Sequence, residues 1–438
     1  MKVVVLCLDA VGPRMAGIAI RSVEIARQLA PHAEVVLAVA RSSGDVDLDV
    51  PVVSYDRHDG RSLRPHLAGA DAVVCQPQWP LVMHELRRSD ARLVFDLSCP
   101  EIIETLTFRA GSQPARRRLI TAMTADRLVE ALRIGHHFVA STPRQLDLWL
   151  GVAAGERLLT PEAYDRDPSM RSRFALAPHG VPAARPHRSP GPGLHGTLGL
   201  PSSTPVILWT SAIWSWLDAE TPIRAMTALR ERVPGARLVF LGADPDRAAG
   251  ASAHAQARAL ADELGLLGES VLFHEHWLTF DERTDWLLDA ACAVSCHHGH
   301  LETHFAFRTR YLDCLWAGLP LVVTEGDVLA DRIAAEELGA AVPEDDPEVL
   351  AAALERVLKR GRTVYAQRLG AAARDYAWPR ALAQLVAFAT ADGERPVPLG
   401  DDAPRRPGHA ARAHGYRAVK GALNAAGVRD WPRGLTGA

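Results

Sequence analysis

HHGHLETHFAFRTRYLDCLWAGLPLVVTEGD, residues 297–327, is the stretch on which the fold is decided. It follows a short apolar run, CAVSC (292–296), passes through a polar loop and enters a helical pattern. Leu312, Leu315, Trp316 and Leu319 stand at i, i+3, i+4 and i+7, the buried stripe of one helix. Gly318 stops that helix, and Pro320 opens a second apolar run, LPLVVT (319–324). Strand, loop, helix and strand in this order predict a parallel βαβ unit. Arg308 and Arg310 fall at the helix start, where the macrodipole is positive and a cation loses roughly 0.3–1 kcal/mol. Two readings follow from the spacing. Either backbone N–H groups and two guanidinium forks hold an anion such as phosphate there, or the arginines pair with Glu302 and Asp313.

The same alternation extends in both directions. Towards the N-terminus, apolar runs at 205–211, 236–242 and 270–276 are separated by helical patterns over 220–232, 252–266 and 281–290. Beyond them lies PAARPHRSPGPGLHGTLGLPSSTP (182–205), a Pro/Gly/Ser-rich stretch with the composition of a linker. Earlier still, KVVVLCL (2–8), EVVLAVA (34–40) and the runs near 71–76, 92–97, 136–141 and 174–178 alternate with helical segments, notably 115–133 and 143–150. The expected architecture is therefore α/β, with two Rossmann-like parallel-sheet domains facing a cleft. The expected boundaries are an N-terminal domain over 1–182, a linker over 183–204 and a second domain over 205–390. A basic tail, helical and docking or else frayed, is expected over 391–438.

Composition narrows the function classes. The 438 residues are 48% hydrophobic and 23% charged, an ordinary globular balance, and the net charge of −3 argues against a dedicated nucleic-acid binder. No apolar run reaches the ~18 residues of a membrane span, which leaves at most peripheral membrane contact. Met1–Leu8 is apolar but meets Asp9 and lacks a basic head, so it reads as a first strand and the chain as cytoplasmic. Six scattered cysteines form no disulfide framework. Lys2, Lys359 and Lys420 are the only lysines, so a Schiff-base or phosphate-binding lysine would have to be one of them. Lys359 lies on an expected surface helix and the others near the termini, which excludes pyridoxal chemistry.

The 297–327 stretch resembles the donor-site motif of GT-B glycosyltransferases of glycosyltransferase family 4. That motif has a glutamate in a loop, a second acid on a helix and a Gly-x-Pro before a strand. Glu302 matches the first, and Asp313 matches the second by its distance from Gly318-Leu319-Pro320. The stretch FAFRTR resembles a bacterial branch of the family. LAPHGVP (176–182) resembles the element closing the N-terminal domain, and VLFHEHW (271–277) the stretch near the nucleobase. The resemblance covers most of residues 1–390.

It implies transfer of a sugar from a nucleotide-sugar donor, with retention at the anomeric carbon and a diphosphate leaving group. Glu302 would hold donor-sugar hydroxyls, Arg308 and Arg310 would neutralise the diphosphate, and Asp313 would bind ribose. Gly326 and Asp327 would flank the phosphates, His276 and Trp277 would border the base, and His298 would lie near the sugar. Gly17, in the first glycine-containing loop, and Asp96, at a strand end, would face the acceptor side. The acceptor could be a lipid-linked glycan, a natural product or a cyclitol.

The chain departs from the family in the spacing of the two acids, in having Asp as the second, and in the loop after the first strand of the second domain, where the usual glycines are also missing. Members carry a Lys-Gly pair that binds the donor diphosphate. Here it falls at Leu217-Asp218, and the loop instead holds Trp214 and Trp216, which could stack on sugar or base or pack inwards. Two alternatives remain open on that account. One is a pseudo-glycosyltransferase or epimerase-like enzyme of the same fold; the other is a non-catalytic binding partner.

Metal is not expected. The Asp45-x-Asp47 pattern reads as a solvated loop, and the Cys292, Cys296, His297, His298, His300, His304 group lacks tetrahedral convergence on a predicted strand. No acidic pair is expected where a donor phosphate would reach it.

Overall fold

The computed structural model describes residues 1–401 apart from 14, 43, 45–47, 109–112, 215, 242–250 and 277. The Asp45-x-Asp47 pattern, Trp277 and the tail from 402 lie outside the described residues. The chain divides into two compact units. One comprises residues 1–179 with the described residues from 381 on, and the other residues 180–380.

The first unit is built on a seven-stranded sheet: β1 (Lys2–Val11), β2 (Glu34–Ser42), β3 (Val52–Ser54), β4 (Ala72–Cys75), β5 (Arg92–Asp96), β6 (His137–Ala140) and β7 (Phe174–Leu176). The order is β3-β2-β1-β4-β5-β6-β7, with every pairing parallel. Val3, Val4, Val5 and Leu6 are buried without alternation, as helices on both faces of a parallel sheet require.

The second unit repeats the plan with β8 (Val206–Trp209), β9 (Arg237–Phe240), β10 (Val271–Phe273), β11 (Cys292–Ser295), β12 (Leu321–Thr324) and β13 (Gly339–Val342). Its order is β10-β9-β8-β11-β12-β13, again all parallel. The order reverses between β8 and β11, the switch point at which open α/β sheets bind ligands beyond their strand ends. The helix Thr309–Ala317 ends on Gly318 at φ +65°, the left-handed stop expected from the sequence. One arginine ties this region together. Arg362 Nε donates to Gly318 O at 2.9 Å, its Nη1 to Leu287 O, Leu288 O and Ala290 O at 2.8, 2.8 and 3.0 Å, and its Nη2 to Ala317 O. The C-terminal carbonyls of two helices are thus satisfied by a single side chain.

The boundaries differ from the expected ones, for identifiable reasons. The stretch 183–204 is not a free linker. Ser189 N donates to Asp285 Oδ1 at 3.0 Å, Leu194 N to Asp289 Oδ2 at 2.9 Å, and Trp316 Nε1 to Ala184 O at 2.7 Å. Those bonds fix it to the second unit. The far boundary lies at 380 and not 390, because the helix Ala383–Ala389 packs in the first unit. There Phe388 stacks on His137 at 4.3 Å and Arg92 Nη1 donates to Ala391 O at 2.7 Å.

Candidate functional site

The loops beyond β8, β11, β12 and β13 carry most of the residues singled out in the sequence. Two are clamped across the switch point. Asp218 N donates to Cys296 O at 3.0 Å, and Leu217 bridges His297 in antiparallel fashion. His297 N in turn donates to Thr324 Oγ1 at 3.3 Å, which ties in the end of β12.

Beyond β11 a short helix, Leu301–Phe305, was not anticipated; its five residues are too few to leave a periodic signature. It carries Glu302, which is buried. Arg308 Nη1 and Nη2 donate to Glu302 Oε1 and Oε2 at 3.1 and 2.8 Å, a bidentate pair. Burial works against the Arg308 charge, yet Glu302 and, behind it, Tyr311 and Asp327 hold the guanidinium above its ordinary value. His300 Nδ1 lies 3.8 Å from Glu302 Oε2, and burial lowers its pKa with Glu302 opposing.

One helical turn on, Arg310 Nη1 donates to Asp313 Oδ2 at 3.0 Å. Arg283, from the helix Phe280–Asp289, approaches the same oxygen at 3.6 Å. Burial, and then the charge of Arg310, push Arg283 down to about 10. Two guanidinium groups thus share one carboxylate. Of the two sequence readings of the arginines, the ion pairs with Glu302 and Asp313 are the contacts present here. Arg283 left no sequence signal, because an arginine on an amphipathic helix is ordinary.

Asp327 is buried and caps the helix Val328–Ala335, its Oδ1 accepting from Leu329 N and Ala330 N at 2.8 Å each. Its Oδ2 stands 3.5 Å from His297 Nε2 and makes no hydrogen bond. Both His297 ring nitrogens, Arg308 Nε and Tyr311 Oη are likewise buried and unpartnered. Such a concentration of unsatisfied polar atoms calls for ordered water or ligand groups. Gly326 precedes the cap at φ +120°, which a side chain would strain.

Trp214 and Trp216 are half-buried against the core and stack on each other at 4.9 Å, with planes 9° apart. His276 is exposed, edge-on to His274 at 5.6 Å. In the first unit Gly17 opens the helix Gly17–Leu29, with open space where a side chain would stand. Asp96 is already engaged. Arg21 Nε donates to its Oδ2 at 2.6 Å and Nη2 to its Oδ1 at 3.1 Å, while the remaining Arg21 donors hold the carbonyls of Ala177 and Pro178 at 2.6 and 2.8 Å. Both partners are buried, so the pair works as an internal tie.

Three further residues converge. Asp218, His298 and Asp345 each bring one oxygen or ring nitrogen to within 4.8 Å of the others. Two of the three are acids, and the sequence hid their proximity by placing the members on three separate loops. Asp218 did carry a signal, since an aspartate just ahead of a helix is a capping residue. Its Oδ1 accepts from Glu220 N and Thr221 N at 3.1 and 2.9 Å.

Comparison with known proteins agrees with this geometry. Residues 204–360 match the family model described as Glycosyl transferases group 1. No curated protein matches the sequence. Among solved structures, WaaG, a glycosyltransferase involved in lipopolysaccharide biosynthesis, is 17% identical at TM-score 0.61, over 89% of this chain and 100% of that one. HepE (Alr3699) of Anabaena, in complex with UDP and glucose, is 12% identical at TM-score 0.64, over 90% and 100%. Trehalose-6-phosphate from E. coli, bound with UDP-2-fluoro glucose, is 13% identical at TM-score 0.64, over 90% and 100%. The chain thus has the GT-B fold, and its second unit resembles, over residues 204–360, the Glycosyl transferases group 1 family.

Proposed function

We propose that the protein is a glycosyltransferase that moves a sugar from a nucleotide-sugar donor to a hydroxyl-bearing acceptor, with retention at the anomeric carbon. The observation that carries this reading is Glu302, buried beyond β11 with both oxygens held by Arg308. A carboxylate fixed in that way is pre-organised to accept hydroxyl hydrogen bonds from a donor sugar. Asp313 on the next helix is the ribose ligand, in the same order as in the family. Solved relatives bound to UDP, or to UDP with glucose, favour a UDP-sugar.

Chemically, departure of the diphosphate leaves an oxocarbenium-like sugar, and catalysis consists of stabilising the leaving charge and positioning the acceptor. Arg308 positions Glu302. Arg310 shares Asp313 with Arg283, so it can turn to a phosphate while Asp313 keeps a cation. No described helix is long and apolar enough to cross a membrane. The cytoplasm is the compartment we favour, in keeping with six cysteines that all stand as free thiols.

The test is a thermal-shift panel of UDP-, GDP- and dTDP-sugars, followed by product analysis with the best donor. A donor that raises the melting temperature and yields a transferred sugar supports the reading; no response to any nucleotide sugar sinks it. The absence of lysine at Leu217-Asp218 favours one second reading, a non-catalytic binding partner. Donor binding without transfer or hydrolysis would establish that instead.

A further inference from the structure

Asp218 is almost fully buried, at 2% exposure. Its Oδ1 is occupied by two backbone amides, while its Oδ2 is buried with no hydrogen-bond partner. An ionised oxygen left in this state is costly unless something positive meets it. Beside it stand His298 and Asp345, both exposed, with His298 Nδ1 3.6 Å from Asp345 Oδ1. The three donors come from the loops after β8, β11 and β13, so they converge at the strand-order switch point of the second sheet. We propose that Asp218, His298 and Asp345 form a divalent-cation site.

The donor set suits a small transition-metal ion. Two carboxylates supply hard oxygens and the imidazole a borderline nitrogen, a mixture that fits Mn²⁺ or Zn²⁺ better than Ca²⁺. Metal–ligand distances of about 2.0–2.2 Å put neighbouring ligand atoms about 2.8–3.6 Å apart, from octahedral to tetrahedral angles. The present separations, up to 4.8 Å, close to that range by rotation of the exposed His298 and Asp345 side chains while the capped Asp218 stays in place. Three protein ligands leave positions open for water or a further anion, as in catalytic sites and not in closed structural ones.

The charge balance gives the site a use. Without a cation, two carboxylates oppose any phosphate that approaches. With one they are neutralised, and its open positions attract phosphate oxygens. This last step rests on the donor reading above. It places a cation beside the position where related enzymes carry their diphosphate-binding lysine, which this chain lacks.

The experiment titrates the full-length protein with Mn²⁺ alone, following free Mn²⁺ by electron paramagnetic resonance. Saturable binding of one ion is expected, weakened at least about tenfold by His298→Gln or Asp345→Asn. Both residues are exposed, so neither change threatens folding. Asp218→Asn keeps a capping oxygen and should weaken binding similarly, with circular dichroism confirming the fold. No saturable binding up to about 1 mM, or equal binding by all variants, overturns the site. Added UDP, corrected for its own Mn²⁺ affinity, should tighten binding several-fold. If Mn²⁺ binds through these residues and UDP has no effect, the cation site stands and its link to the diphosphate fails.

Discussion

Arg308 grips Glu302 through both carboxylate oxygens, the carboxylate buried and the arginine side chain only 13% exposed. The arginine therefore has a task before any substrate arrives. It gives a buried carboxylate an opposite charge and fixes its direction, which differs from a guanidinium waiting for phosphate.

Removing that partner should cost stability. Arg308→Ala leaves the Glu302 charge buried and unpaired, a loss of about 3–5 kcal/mol by comparison with other broken buried pairs. Urea unfolding of wild type and variant measures it. A double variant, Arg308→Ala with Glu302→Ala, should recover part of the loss, because no isolated charge remains.

The two acids should separate kinetically. Glu302→Gln should lower kcat with a modest change in donor KM, if the carboxylate acts mainly in the transition state. Asp313→Ala should mainly raise the donor KM, since ribose is bound in ground and transition states alike. Near wild-type constants for both would move the donor site elsewhere.

Arg310 is the arginine expected to meet the leaving group. Arg310→Ala should reduce turnover by about 10²–10³, the range for loss of one pre-organised donor. Arg310→Lys should restore only part, since an ammonium lacks the planar fork. Calorimetry with UDP should show weaker binding in parallel, and a change under about threefold in both measurements would remove Arg310 from the reaction.

Stability should fall on mild acidification through the first unit. Burial lowers His136 from 6.5 to about 3 and His137 from 6.5 to about 4, and neighbouring arginine charge adds to both. Each is neutral in the fold, whereas the unfolded chain takes up a proton below pH 6.5. The unfolded state then binds more protons, and stability declines by up to about 1.4 kcal/mol per pH unit per histidine below 6.5, levelling off as pH passes the folded values. Urea midpoints should be flat from pH 8 to 7 and lower at pH 5.5. Replacing both histidines by glutamine should flatten that slope.

Much of the fold was legible because parallel strands buried on both faces print as apolar runs. KVVVLCL and EVVLAVA became β1 and β2, and CAVSC and LPLVVT became β11 and β12. The short strands β3 and β13 escaped, as three largely exposed or four partly buried residues carry no such run. In the candidate site, Glu302, Arg308, Arg310 and Asp313 could be singled out from the sequence because they lie within one loop-and-helix segment. Arg283 and Asp345 could not, and Asp218 stood out only as the place of the missing pair, because they reach the same region from distant loops and helices and only the folded chain brings them together. The engagement of Asp96, placed on the acceptor side from its position at a strand end, was hidden for the same reason. Its partner Arg21 is 75 residues away, on the first helix.

Arg362 bears on how this unit could be isolated. The family model ends at residue 360, two residues before an arginine that satisfies five backbone carbonyls. A fragment cut at that limit would contain both helices whose ends Arg362 closes, yet would leave those ends open to water. A piece that keeps those helix ends satisfied is therefore longer than the stretch that matches the family model, and must reach past residue 362.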